Sequence, residues 1–243
     1  MFENTFIFFL VQSNARKNIE NSSYKKKRKK ENIREMSKYI DHILYINLDH
    51  RTDRRTEIES ELARMNLTEK SERFPGTYVP EQGILGCTIS HLSAIQLAKQ
   101  RGYKNVLILE DDFQFLLEKE EMESRLDTFF RSKIGRSYDV CMIAFGLAKP
   151  SGEPMQECPL IKRVVEAQNA AGYIVQEKYY DAIIELYEMV IPLLEQTKAH
   201  WLYANDQAWK VLQEKDRWYH FIERFGKQRA GYSDNSCAFM DYE

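Results

Sequence analysis

The chain has 243 residues, with 35 Lys or Arg, 37 Asp or Glu and a formal net charge of −2. That length suits one large α/β domain, and an apolar fraction of 43% allows a full core. The charge is uneven: residues 1–35 carry nine Lys or Arg against four Asp or Glu, leaving the rest acidic. An acidic core is unsuited to gripping nucleic-acid phosphates and suits a divalent cation.

Residues 1–37 read as a basic, disordered tail, because the run Lys25-Lys26-Lys27-Arg28-Lys29-Lys30 repels itself and stays solvated. Nuclear or membrane-surface association through this tail is one expectation, beside a soluble cytoplasmic protein. The apolar run from Phe6 to Val11 is far short of the ~20 residues a spanning helix needs. Glu3 and the absence of Lys or Arg ahead of that run argue against a signal peptide. Met36 offers a second starting point for the functional domain, 38–243. The cysteines, Cys87, Cys141, Cys158 and Cys237, form no CxxC pair, so their spacing points to free thiols rather than zinc.

From Ile40 the pattern becomes regular. Ile43-Leu44-Tyr45-Ile46 reads as a strand buried on both faces, followed by an amphipathic helix from Arg51 to Met65. Ile58, Leu62 and Met65 face inward, and Thr52 or Asp53 is the expected cap. A loop bounded by Gly83 and Gly86 leads into a helix from Thr88 to Arg101, stopped by Gly102. Val106-Leu107-Ile108-Leu109 is the clearest buried strand. Beyond it come a helix near 121–130 and strands near 140–145, 163–167 and 172–176. A helix from Lys178 stops before Pro192, and another runs from Asp206 to Glu214. Strands alternating with helices predict an α/β fold with a Rossmann-like sheet.

The buried strand ends in Glu110-Asp111-Asp112. Ligands of open α/β sheets bind beyond the carboxyl ends of the strands. Three adjacent like charges raise one another's pKa, and a hard cation removes that cost. Asp112 is the first choice as direct ligand, with Glu110 toward metal or ribose and Asp111 turned away. Such a metal, Mn²⁺ or Mg²⁺, would bridge a diphosphate leaving group.

The strings "YINLDHRTDRR" (45–55), "GILGCTISHLSAIQLA" (83–98) and "VLILEDDFQF" (106–115) resemble, in this order, segments of glycosyltransferase family 25. So do the later strings "AGYIV" (171–175), "NDQAW" (205–209) and "QRAGYSDN" (228–235). The family includes lipooligosaccharide and procollagen galactosyltransferases. The resemblance implies a GT-A fold, a UDP-sugar donor, Mn²⁺ and inverting transfer to a hydroxyl on a glycan or hydroxylysine. It places Asn47 and Leu48 against the nucleotide, with Arg51 and Arg54 as basic positions for phosphate. It makes Gly86 a site of close backbone approach, and makes Ser90 and His91 donors to phosphate or sugar at a helix start. Cys87 reads as packing. Asp206 is the candidate general base and Asp234 the runner-up. Trp201 and Trp209 are weighed as sugar platforms against core residues. His220 is a candidate third metal ligand beside Asp112 and Glu110.

Two rivals share these features. A nucleotidyltransferase acting on a sugar phosphate also needs a Rossmann-like sheet and acidic metal ligands. A non-catalytic nucleotide-sugar or nucleic-acid binding protein would use the basic tail and leave the acids idle.

Overall fold

The computed structural model describes residues 39–235 and 238–241. The expected tail, 1–37, and Cys237 lie outside the described residues.

The chain forms β1 (His42–Asn47), α1 (Thr52–Arg64), β2 (Ser71–Pro75), α2 (Gly83–Gln100), β3 (Asn105–Glu110), β4 (Phe113–Phe115) and α3 (Lys119–Arg131). It continues with β5 (Val140–Met142), β6 (Gly146–Lys149), β7 (Ile161–Arg163), β8 (Glu166–Gln168), β9 (Gly172–Gln176) and α4 (Tyr180–Thr197). Three short helices follow, α5 (His200–Tyr203), α6 (Asn205–Ala208) and α7 (Lys210–Lys215). The last strands are β10 (Trp218–Phe221), β11 (Gly226–Gln228), β12 (Gly231–Ser233) and β13 (Ala238–Met240).

Seven strands make one sheet in the order β2-β1-β3-β9-β5-β10-β7. β1 runs parallel to β2 and β3, and β10 runs parallel to β5. β9 is antiparallel between β3 and β5, and β7 is an antiparallel edge. The fold is therefore a mixed α/β domain with a mostly parallel central sheet. The apolar runs of β1 and β3 serve two layers at once. Leu44, Ile46, Val106 and Ile108 join Ala94, Ile95 and Ala98 of α2 and Ile183, Tyr187 and Val190 of α4 in one core cluster. Phe129 of α3 packs edge-on against Tyr138 and Phe221, and Phe221 packs against Phe225. Among the described residues no helix is long and apolar enough to cross a membrane.

Several boundaries differ from the sequence reading. α1 starts at Thr52 with no side-chain cap; Asp53 lies in its first turn and pairs with Arg51. α2 begins at Gly83, not Thr88, so the loop expected between Gly83 and Gly86 is the first helical turn. α4 runs through Pro192 to Thr197, because Val190 and Leu194 bury on either side of it; the proline removes one backbone donor without ending the helix. The helix expected at 206–214 is two pieces, broken at the fully buried Trp209. The strand expected at 163–167 is likewise split between β7 and β8.

Phe113, just after the acidic run, is wedged between two glycines. A Cβ at Gly172 would lie 2.5 Å from its ring, and one at Gly226 2.1 Å. Gly226→Ala is expected to destabilise the protein by about 1–3 kcal/mol through overpacking. Adding Phe113→Leu should return part of that loss. Urea midpoints of the two variants check it; equal midpoints would mean the ring is not the obstacle.

Candidate active site

The carboxyl ends of β1 and β3 meet at the mouth of a cavity of about 180 Å³. Its walls include Asn47, Leu48, Arg54, Cys87, His91, Glu110, Asp111, Asp112, Gln228 and Asp234. A second cavity, about 630 Å³, lies beside it and is lined by His200, Trp201, Asp206, Gln207, Asn169 and Arg224 among others. Cys87, Glu110, Gln228, Ser233 and Asn235 line both, so the two spaces adjoin.

β3 delivers three carboxylates to the first cavity. Asp111 and Asp112 are only 8% and 5% exposed. Arg54, from the first turns of α1, reaches Asp111 Oδ1 at 3.0 Å and Asp112 Oδ2 at 3.2 Å. Asn47, ending β1, donates Nδ2 to Asp111 Oδ2 at 2.7 Å. Gln228, ending β11, points its amide NH₂ at Glu110 Oε2 (3.3 Å) and Asp112 Oδ2 (3.5 Å). Asp112 Oδ1 is buried with no hydrogen-bond partner. Both oxygens of Asp111 are engaged, whereas Asp112 keeps one without a partner; Asp111, expected to turn away, lines the cavity beside Asp112.

One guanidinium does not balance three acids. Burial first, then the charge of Glu110, push the Asp112 carboxyl up to about 8 despite Arg54. Burial also raises Asp111, against Arg54 and Asn47.

His91 sits two turns into α2 and is fully buried. Its Nε2 lies 3.1 Å from Glu110 Oε1 and its Nδ1 2.8 Å from Tyr173 Oη. A carboxylate only accepts, so the network assigns the proton to Nε2 and makes Tyr173 the donor to Nδ1. Ser90 donates to Gly86 O at 2.7 Å and accepts the Thr77 N–H at 2.8 Å. Neither residue stands at a helix start, because α2 begins at Gly83. Ser90 ties the β2–α2 loop to the helix, and His91 orients Glu110. Gly86 does serve a close approach, but to the protein itself: a Cβ there would lie 2.4 Å from Thr77 O.

The two arginines expected to serve phosphate both have partners within the protein, and Arg54 also lines the first cavity. Arg51 pairs with Asp53 and Asp234 and reaches Tyr232 O at 3.2 Å. Arg54 donates to Tyr232 O at 2.7 Å besides its two acids. Both fasten the 231–235 segment over the cavity, since their donors already face anionic or carbonyl oxygens. Asp234 also meets His50 Nε2 at 3.3 Å; burial raises its carboxyl, but Arg51 and His50 outweigh this and hold it below the usual range.

Asp206 opens the second cavity. Its Oδ2 accepts the Asn169 backbone N–H at 3.0 Å. Trp201 is 64% exposed on the same cavity, whereas Trp209 is core. His220 is not brought to the acids. Its Nδ1 meets Phe221 O and its Nε2 meets Ser151 Oγ, both at 2.7 Å, and it lines neither cavity. A carbonyl partner forces the proton onto Nδ1, which leaves Nε2 to accept from the serine. Position on the far strand β10, beyond β9 and β5, explains the separation.

Sequence reasoning overlooked Asn169, Gln228 and Arg73. Asn169 adopts φ +78°, a region asparagine tolerates, and its Nδ2 donates to Gln228 Oε1 at 2.9 Å. Arg73 Nε donates to Asn47 Oδ1 at 2.9 Å and so fixes which end of that amide faces Asp111. Gln228 opens a string already noted as family-like; Asn169 and Arg73 carry no local signal.

No family model matches the chain, and no curated protein matches it. Among solved structures it is similar to the mannose-1-phosphate geranyltransferase of Thermus thermophilus, with 9% identity and a TM-score of 0.45 over 76% of this chain and 74% of that one. It is also similar to the glycosyltransferase GlyE of Streptococcus pneumoniae, with 11% identity, TM-score 0.42 and coverage of 74% and 45%. A third is a glycosyltransferase involved in glycosylation of the major capsid of PBCV-1, with 10% identity, TM-score 0.39 and coverage of 74% and 91%.

The raised Asp112 carboxyl makes a stability prediction. Its folded value lies above the ordinary aspartate value of about 4, so between about 4 and about 8 the native state holds the extra proton. Without divalent cations, stability therefore falls as pH rises through that window, by up to about 1.4 kcal/mol per unit. Asp112→Asn removes this loss. It should exceed the parent in stability at pH 8, and the gap should close toward pH 4. Urea unfolding across pH checks it; parallel profiles would contradict it.

Proposed function

We propose that this chain is a metal-dependent glycosyltransferase of the family 25 kind, with a GT-A type fold. It moves a hexose, galactose or glucose, from a UDP-sugar to a hydroxyl on a glycan or hydroxylysine acceptor with inversion. The observation that carries the reading is the Glu110–Asp112 cluster, with Asp111 and Asp112 buried and one Asp112 oxygen unpartnered, at the carboxyl ends of parallel strands.

The donor set suits Mn²⁺ or Mg²⁺. Carboxylate oxygens are hard ligands, the cluster carries excess negative charge, and one buried oxygen lacks any partner. Asp112 and Glu110 would hold the ion; its chemistry there is to offset the charge of the departing diphosphate. Asp111 is committed to Arg54 and Asn47 and acts as a support.

The remaining work falls to the chain's own groups. Leu48 and the β2–α2 loop wall the first cavity, where a nucleotide would lie. The second cavity would receive the acceptor, with the exposed indole of Trp201 as a stacking face. Asp206, on that side, takes the acceptor hydroxyl proton as the oxygen attacks the anomeric carbon. Acid functions on adjoining cavities match the two demands of the reaction, one at the leaving group and one at the nucleophile.

A product assay tests this. UDP-galactose or UDP-glucose with Mn²⁺ should give UDP and a glycosylated acceptor, with hydrolysis as the basal reaction. Asp112→Ala is expected to abolish turnover while the circular dichroism spectrum stays native. Release of pyrophosphate from UTP and a sugar phosphate, with no turnover of the UDP-sugar, would replace the reading with nucleotidyl transfer.

Asp206→Asn is the second prediction at this site. It should lower kcat by about 10²–10⁴-fold, the worth of a positioned base, and leave UDP-sugar affinity unchanged. Loss of donor affinity with kcat intact would assign Asp206 a structural role.

A further inference from the structure

Cys87 and His91 stand four residues apart on α2, so both project from the same helix face toward the end of β3. Cys87 Sγ lies 3.7 Å from Glu110 Oε1, and His91 Nε2 lies 3.1 Å from the same oxygen. One donor atom from each of the three residues falls within 4.8 Å of the other two. Around a tetrahedral ion with bonds of about 2.0–2.3 Å, ligand atoms sit about 3.3–3.8 Å apart. The three atoms thus need to move by only about an ångström or less to share one ion.

We propose that Cys87, His91 and Glu110 form a binding site for a zinc-class divalent ion, separate in donor chemistry from the hard-cation site at Asp112. Sulfur and imidazole select borderline-soft metals and are poor ligands for Mn²⁺ or Mg²⁺. The surrounding contacts are those metal-bound side chains use. His91 Nδ1 is held by Tyr173 Oη, and Gln228 steadies the second oxygen of Glu110. When an ion takes Nε2, the ring proton moves to Nδ1 and Tyr173 becomes the acceptor. Entry is open, because Cys87 and Glu110 line both cavities. Cys141 and Cys158 are buried free thiols outside this cluster. The CxxC rule misses the site because its ligands pair across a helix turn and a strand end.

The site shares Glu110 with the cation site invoked for transfer, so a zinc-class ion competes there with manganese. The binding itself rests on geometry alone and stands or falls apart from the transferase reading.

Cobalt is the probe. The full chain, stripped with chelator, is titrated with Co²⁺ and followed by absorption. The folded parent is expected to bind one equivalent and give a thiolate-to-cobalt charge-transfer band that Zn²⁺ then erases. Cys87→Ser should lose that band and weaken Zn²⁺ binding at least about 10-fold. Asp112→Asn should keep both. Zinc-edge X-ray absorption of the parent supplies a reading that needs no variant: one sulfur neighbour at about 2.3 Å. Absence of that sulfur, a band that survives Cys87→Ser, or a band lost in Asp112→Asn overturns the proposal.

Discussion

Three adjacent carboxylates, two of them buried, against a single guanidinium are the constraint around which this molecule is arranged. Isolated buried charge costs far more than a domain's net stability, so each acid must be paired, hydrogen-bonded or protonated. Asp111 takes the first two routes through Arg54 and Asn47. Glu110 accepts from His91 and Gln228. Asp112 is left with one half-shared arginine and takes the third, which is why its carboxyl rises to about 8. In the proposed reading a cation would take the place of that proton.

The partners come from every part of the chain. Asn47 ends β1, Arg54 opens α1, His91 lies in α2 and Gln228 ends β11. Parallel pairing of β1 with β3, Ile46 opposite Glu110, brings the first strand's end beside the acids. The β4–β11 ribbon, Phe113 opposite Gln228, brings the end of β11 to the other side. Phe113 is pinned between Gly172 and Gly226, so the strand-to-ribbon corner that carries Asp111 and Asp112 has little freedom to shift. Arg51 and Arg54 both hold Tyr232 O, so the wall of the cavity depends on the same charges as its floor.

The sheet and the acid cluster were legible in the sequence because they depend on local pattern. Ile43–Ile46 and Val106–Leu109 are short, wholly apolar and followed by polar runs, which leaves few alternatives to buried strands. The start of α2 was not legible. Glycine is a poor helix former, so "GILG" reads as a loop until Gly86 is seen to pack on Thr77 O, where no side chain fits. That misplacement put Ser90 and His91 at a helix start, whereas they lie about two turns into α2, on the wall of the first cavity. His220 failed for a different reason. Its residue type suits a metal, but strand order decides which histidine meets the acids, and strand order is not a local property. Asn169, Gln228 and Arg73 act through contacts 26 to 118 residues away in sequence, and only Gln228 lies in a string with a signal of its own.

The polarity of the site can be traced to one backbone bond. Asn169 Oδ1 accepts the Ala171 N–H at 2.9 Å, which fixes its amide so that Nδ2 must donate. It donates to Gln228 Oε1, and that leaves Gln228 only its NH₂ to offer Glu110 and Asp112. Arg73 does the same for Asn47, taking the oxygen so that the nitrogen faces Asp111. Both amides are thereby held as donors toward the carboxylates, and neither can turn an oxygen on them without breaking a bond elsewhere. The same Asn169 gives its own N–H to Asp206. A single residue in a left-handed turn therefore sets the hydrogen-bond direction at the acid cluster and holds the carboxylate of the neighbouring cavity, so the two cavities share one orienting element.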